Sequence, residues 1–260
     1  MTLERQTNFD SSAIYFSIVI VTFNAENSIL STLRSLQNQT YQGFEVIIVD
    51  GCSQDRTVEL IKSSGIHVAH FIVEPDKGIY DAMNKGMELA QGSFISFLNA
   101  GDMYVENGLE LVMNHVFDSE VRLFSLDYEV YSPRSQEKKK RIHCRPLEMG
   151  FLKKDFKACH QSIFARRDLC VKYNLDYDIL ADYQWAIDMS SKCLSESEIR
   201  HVNVAITEYE RGGYSAQSFV RNMGERIKIH YYNFGIIQVL LNIPNYLRRV
   251  LRALKASLVK

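Results

Sequence analysis

A chain of 260 residues, 46% hydrophobic and 23% charged, with a net charge of −1, can bury a sizeable core and is too apolar to stay disordered. The near-neutral balance excludes a general attraction for nucleic acid. Five scattered cysteines without a C-x-x-C pair exclude a disulfide framework and a thiolate zinc site, and they suit a reducing compartment such as the cytoplasm.

Residues 1–15 are polar and lack the apolar stretch of a signal peptide, so a flexible tail is expected there. FSIVIVTF from Phe16 reads as a buried strand, after which Asn24, Asn27 and Ser28 offer caps for a helix with Ile29, Leu33 and Leu36 on one face. EVIIVD, Glu45 to Asp50, is a second strand; Gly51 then permits a sharp turn and Ser53 is placed to cap the next helix. A third strand is expected over His67 to Val73, followed by the turn Glu74-Pro75-Asp76-Lys77-Gly78 and a helix carrying Ile79, Met83, Gly86 and Met87. Phe94 to Leu98 is a short, nearly continuous apolar strand stopped by Asn99, Ala100 and Gly101. Strands alternating with helices predict right-handed βαβ units and a parallel sheet, whose polar turns gather at one edge.

Thr22, Asn24, Asp50, Asp76, Asn99 and Asp102 all fall in those turns, where α/β sheets bind ligands. Clustered carboxylates repel unless a cation or hydrogen-bond donors offset them, which makes a divalent metal one solution. Asp102 alone reads equally as a cap for the next helix. Beyond it we expect a helix over Leu109 to Phe117, a strand over Val121 to Tyr131, a solvated loop or hairpin over Arg134 to Arg145, and a strand entered near Phe156 to Arg167. Ile179 to Met189 has helical spacing, with Asp182 near its start.

Phe16 to Asn24, Asp50-Gly-Cys-Ser-Gln-Asp-Arg-Thr57, Glu74-Pro-Asp-Lys-Gly78 with Asp81-Ala-Met-Asn-Lys-Gly86, and Leu98-Asn-Ala-Gly-Asp102 together resemble successive blocks of the family-two inverting glycosyltransferases of the GT-A fold. The likeness spans residues 16–215, and its nearest flavour is bacterial: exopolysaccharide, colanic-acid or O-antigen assembly. It implies an α/β fold with a Rossmann-like, mixed and mainly parallel sheet flanked by helices. It also implies transfer of one sugar from a UDP- or GDP-sugar to a hydroxyl of a glycan or a polyprenyl-diphosphate-linked saccharide.

By that resemblance Thr22 and Asn24 line the nucleoside pocket and Asp50 hydrogen-bonds the base. Asp76, Lys77, Gly78 and Asn84 border the nucleotide, Asn99, Ala100 and Gly101 lie along the donor, and Arg211 in a Gly-Gly loop reaches the diphosphate. Asp102 stands for the last acid of the metal-binding D-x-D element, here depleted to Asn99-Ala-Gly-Asp102, so Mn²⁺ or Mg²⁺ depends on donor phosphates to complete its shell. Asp182 matches the general base, with Asp178 and Asp188 as rivals, while His160, Gln161 and Trp185 fall on the acceptor side. Each has a plainer structural reading: capping for Asp182, packing for His160, a turn for Asp50.

From Arg221 onward eight Lys or Arg face one acid, Glu225. Pro244 opens a final helix with Leu247, Val250, Leu251, Leu254 and Leu258 on one face and Arg248, Arg249, Arg252 and Lys255 opposite. Residues 216–260 are therefore expected to form a basic amphipathic helical extension that lies on the inner membrane surface, packs on the body, or joins a homodimer. A dinucleotide oxidoreductase is disfavoured because Val-Thr-Phe-Asn replaces G-x-G-x-x-G after the first strand. A non-catalytic sugar-nucleotide binder is the remaining alternative.

Overall fold

The computed structural model describes residues 15–116, 120–131, 139–210 and 219–258. The expected tail up to residue 14, the first part of the charged stretch after Arg134, and the Arg211 loop lie outside the described residues.

A nine-stranded mixed sheet organises the chain. Strands β1 (Phe16–Thr22), β2 (Phe44–Asp50), β3 (His70–Val73) and β4 (Phe94–Asn99) are parallel neighbours in the order β3-β2-β1-β4. Helices α1 (Ile29–Gln37), α2 (Thr57–Ser63) and α3 (Ile79–Leu89) form the crossovers. Their near-continuous apolar strands follow from burial on both faces. Val19, Val21, Ile47, Val49, Ile95 and Phe97 pack on one side with α3; Ile18, Ile20, Val46, Ile48 and Leu98 pack on the other with α1. Gly86 lets α3 approach β1, since a Cβ there would collide with Val19.

The second half turns the sheet mixed. β8 (Ile163–Arg166) pairs antiparallel with β4, and β6 (Leu123–Tyr131) antiparallel with β8. β9 (Ile199–Glu210) runs parallel to β6, β5 (Met103–Tyr104) closes on β9, and β7 (Lys140–Ile142) makes a hairpin with β6. Helix α4 (Gly108–Val116) covers the α1 face, while the short α5 (Met149–Leu152) and α6 (Ala181–Ser191) cover the α3 face. Two helices, α7 (Phe219–Leu241) and α8 (Ile243–Leu258), end the chain; α7 breaks at Gly235, whose φ is 78°.

Two expected caps are not made. Ser28 stands at the N-cap of α1 without a side-chain cap bond, and Ser53 binds Asp50 instead of the α2 terminus, whose cap is Arg56. The extension also shares the main core: Ile229 and His230 of α7 are fully buried, and Ile229 belongs to the same cluster as Phe97 and Trp185.

Candidate active site

Because β1, β2, β3 and β4 are parallel, Thr22, Asp50, Val73 and Asn99 end at the same edge of the sheet. Only β1 separates β2 from β4, so Asp50 and Asn99 lie two strand spacings apart, roughly 10 Å.

At the β1–β2 side the turns lock together. Asn24 and Cys52 adopt left-handed backbone, φ 48° and 67°, conformations that Asn tolerates and that concentrate at functional turns. Asn24 N donates to Ser53 Oγ (2.8 Å), and Asn24 Oδ1 accepts from Gln54 N (2.8 Å). Asp50 is fully buried, and its two oxygens accept from Ser53 N (2.7 Å) and Ser53 Oγ (2.6 Å). Thr22 Oγ1 beside it is buried with no hydrogen-bond partner among the described residues, which is costly unless a ligand supplies one.

The next turn closes on itself. Asp76 Oδ1 accepts from Gly78 N (2.9 Å), Lys77 N donates to Asp81 Oδ2 (3.0 Å), and Lys85 Nζ holds Pro75 O (2.7 Å) and Glu74 (2.9 Å). Lys77 is exposed. Asn84 is not at the nucleotide edge: its side chain donates to Tyr173 O (3.0 Å) and accepts from Tyr173 N (2.7 Å) within the core.

A single 3-10 turn, His160–Ser162, joins the two acids of greatest interest. Gln161, fully buried, donates from Nε2 to Asp102 Oδ2 (2.5 Å). Its neighbour His160 places Nδ1 3.5 Å from Asp182 Oδ2 and Nε2 3.1 Å from Asn99 Nδ2. Asp182 stands in the first turn of α6, its Oδ1 on Tyr183 N (2.8 Å), and is 14% exposed at the side chain. Behind Asp102, Thr32 Oγ1 of α1 accepts from Gly101 N and donates to Asp102 O, both 2.8 Å, while Tyr131 donates to Gly101 O (2.9 Å). Gly101 has φ 103°, so the turn between Ala100 and Asp102 favours glycine.

Two acceptor-side expectations need correcting. Gln161 lies beneath Asp102 as its hydrogen-bond donor. Trp185 is wholly buried, stacked 4.8 Å from Tyr173 with its Nε1 on Val171 O (2.8 Å), so this part of α6 faces the core and not a cleft. Of the rival bases, Asp178 pairs with Arg221 (2.8 Å) and Asp188 accepts from Gln184 (2.8 Å). Only Asp182 of the three approaches His160. Burial and the Asp102 carboxylate push the Cys159 thiol well above its ordinary range.

The rim carboxylates are offset by hydrogen-bond donors. Among the described residues no group of three or more His, Cys, Asp or Glu side chains is arranged to hold a metal ion. Asp102, 5% exposed, could offer one hard oxygen ligand. That fits Mg²⁺ or Mn²⁺ only where phosphate oxygens of a bound donor fill the rest of the shell.

Residues 17–172, more than half the chain, match the Glycosyl transferase family 2 domain. The chain belongs to glycosyl transferase family 2. The family match ends short of α6, so the domain definition does not itself reach Asp182. Among curated relatives of this family-2 protein, a PGL/p-HBAD biosynthesis glycosyltransferase of Mycobacterium bovis is 32% identical over 214 residues, covering 78% of this chain and 80% of the relative. An Escherichia coli UDP-Glc:alpha-D-GlcNAc-diphosphoundecaprenol beta-1,3-glucosyltransferase, WfgD, is 28% identical over 120 residues, 46% of this chain and 47% of its own. In fold, this family-2 chain is similar to S. aureus TarS bound to UDP-GlcNAc (TM-score 0.67, 15% identity, 90% of this chain and 72% of that one). It is also similar to glucosyl-3-phosphoglycerate synthase of Mycobacterium tuberculosis with Mn²⁺, UDP and product (TM-score 0.61, 15% identity, 85% and 80%). The GT-A architecture and membership of the glycosyltransferases are thereby established.

Proposed function

We propose that this protein is an inverting glycosyltransferase that moves one sugar from a nucleoside-diphosphate sugar to a hydroxyl of a glycan or lipid-diphosphate-linked saccharide. One observation carries the reading: the His160–Ser162 turn holds Asp102 through Gln161 and Asp182 through His160, so a diphosphate site and a base share one short rigid element. Thr22, Asn24 and Asp50 border the nucleoside. The unpartnered Thr22 hydroxyl and the spare lone pairs of Asp50 are the groups that a base or ribose would satisfy. Asp76, Lys77, Gly78, Ala100 and Gly101 form the walls beside it, and Arg211 is assigned to the diphosphate.

Asp102, with Asn99 beside it, would hold a Mn²⁺ or Mg²⁺ together with the donor phosphates, and such an ion would supply charge stabilisation to the departing diphosphate. Asp182 takes the proton of the acceptor hydroxyl on the opposite side of the sugar as that oxygen attacks C1, a single displacement that inverts the centre. His160 fixes the carboxylate's direction. The UDP-GlcNAc bound by TarS and the UDP bound by the Mycobacterium synthase support a UDP-sugar, and the diphosphoundecaprenol-linked acceptor of WfgD supports a polyprenyl-linked one.

Such an acceptor lies in a membrane, and the carboxyl-terminal helices suit its surface at the cytoplasmic face. No helix among the described residues is long and apolar enough to cross a bilayer. Ile236, Ile237, Leu240, Leu241, Leu247 and Leu251 are each more than half exposed. Arg248, Arg252 and Lys255 flank them in a helix without acids, which favours anionic lipid over a second, equally basic copy.

The reading is tested by a thermal-shift panel of UDP, GDP, dTDP and CMP with and without Mn²⁺, followed by release of nucleoside diphosphate from the matching sugar donors. A metal-dependent rise in melting temperature and slow donor hydrolysis, both lost in Asp102→Ala, are expected. The depleted acid set favours one alternative, a sugar-nucleotide binder without catalysis. Tight donor binding with no hydrolysis or transfer would establish that instead.

A further inference from the structure

Helix α7 sends one acid into the body. Glu225 is 7% exposed, and its carboxylate accepts from three consecutive backbone amides: Asp178 N (2.9 Å), Ile179 N (3.0 Å) and Leu180 N (2.8 Å). Successive amides converging on one anion form a strong, directional cradle. Among the described residues Glu225 has no cationic partner, because its neighbour Arg226 pairs with Asp155 (2.8 Å) and Arg221 with Asp178 (2.8 Å). The same segment is also held by Tyr80 of α3, whose hydroxyl donates to Ile179 O (2.8 Å). Burial and the neighbouring Asp182 and Glu225 carboxylates push that phenol well above its ordinary range, so it remains a donor.

What this segment carries decides its meaning. Leu180 is the N-cap of α6, its carbonyl accepting from Tyr183 N (3.0 Å) and Gln184 N (3.2 Å), and Asp182 follows two residues later. We infer that Glu225, with Tyr80, is a positioning residue for the base: it sets the start of α6 and so the direction of the Asp182 carboxylate toward His160. The carboxyl-terminal extension is then part of the catalytic unit and not an appendage. Other contacts already fasten α7, namely the Arg226–Asp155 pair and the burial of Ile229 and His230. The Glu225 bonds are directed instead at the one loop whose displacement moves Asp182. Misplacing a reacting group by about 1 Å costs on the order of 100-fold in rate, and the Asp182–His160 separation of 3.5 Å leaves little slack.

This inference rests on the transferase reading, and its test separates the two. In Glu225→Gln the amide keeps one acceptor oxygen but turns an NH₂ toward a backbone donor. Nucleoside-diphosphate release from UDP-glucose, UDP-N-acetylglucosamine and GDP-mannose with Mn²⁺ is compared with wild type, well below each protein's melting temperature. The expected result is a fall in kcat of tenfold or more with donor KM within twofold, and faster amide exchange at 178–183. Tyr80→Phe, a milder change, is expected to lower kcat several-fold with the same unchanged KM. Wild-type kcat in Glu225→Gln despite a lower melting temperature, or a matching loss of donor affinity, overturns the inference. Should Glu225→Gln not fold, wild-type kcat in Tyr80→Phe overturns it alone. If the wild type hydrolyses none of the donors, the transferase reading fails by itself. Amide exchange then judges the clamp, and unchanged exchange at 178–183 in Glu225→Gln sinks it.

Discussion

At the scale of single residues, the distinction that matters is between carboxylates already satisfied by the protein and those left to do chemistry. Asp50 and Asp76 accept hydrogen bonds within their own turns, whereas Asp182 accepts from its own helix amide and faces the His160 imidazole at 3.5 Å. Asp182→Asn keeps the shape and the bond to Tyr183 N but cannot accept a proton. Transfer should fall by about 100-fold or more, the usual yield of a general base, with nucleotide affinity unchanged in a thermal-shift titration. Unaltered transfer would remove Asp182 from the mechanism. The acids themselves were legible in the sequence because each follows a strand or opens a helix. The roles of Gln161 and Trp185 were not, since a glutamine beneath an acid and a tryptophan in the core differ from cleft residues only by what lies across from them.

Among elements, α3 shows how one helix serves the edge and the core together. Its amino end makes the Asp76 to Gly78 turn, while one turn along Asn84 pairs with both backbone groups of Tyr173. Asn84→Ala leaves a buried N–H and C=O unmatched, at about 1–3 kcal/mol for each group. Urea unfolding should show that loss while nucleotide binding stays intact; a selective loss of binding would return Asn84 to the nucleotide pocket. The first four strands and three crossover helices were readable because their signals are local. β9 was not anticipated: its pairing with β6 is interrupted by register shifts near Leu126 and Asp127, which blur the alternation that marks a half-buried strand. α7 falls in the expected helical extension, but which of its residues dock on the body was not readable, because Glu225, Arg226, Ile229 and His230, the ones it buries, make no continuous apolar stripe.

For the molecule as a whole, the joint between body and extension is a buried polar network centred on His230. Tyr183 donates to Leu152 O and therefore accepts from His230 Nε2–H (2.8 Å), leaving Nδ1 to accept from Tyr246 (2.5 Å). This neutral ring satisfies both tyrosines. Burial, aided by the Arg226 charge, lowers its pKa from 6.5 to about 4. A depressed histidine contributes stability that is fully present above its unfolded value and lost as pH falls from 6.5 toward 4. The melting temperature should therefore drop across that window, and His230→Gln should flatten the slope; an identical slope in the variant would assign it to other groups. Beyond the joint, exposed apolar residues carry the membrane proposal. Wild type should float with vesicles containing phosphatidylglycerol but not with phosphatidylcholine alone, and Ile237→Asp with Leu251→Asp should abolish flotation without altering donor hydrolysis. Equal flotation of wild type and variant would remove the idea.

By itself the sequence determined the first four strands and their three crossover helices, the edge at which their loops gather, and the acids those loops carry. Hydrophobic period and turn chemistry act over a few residues and need no partner. Tertiary structure alone decided which polar groups are consumed and which remain: Ser53 on Asp50, Gln161 on Asp102, Tyr173 on Asn84, and Glu225 under the helix of Asp182. Hydrogen bonds depend on contacts between residues up to about a hundred positions apart, and a buried donor takes whichever acceptor the packed core brings to it.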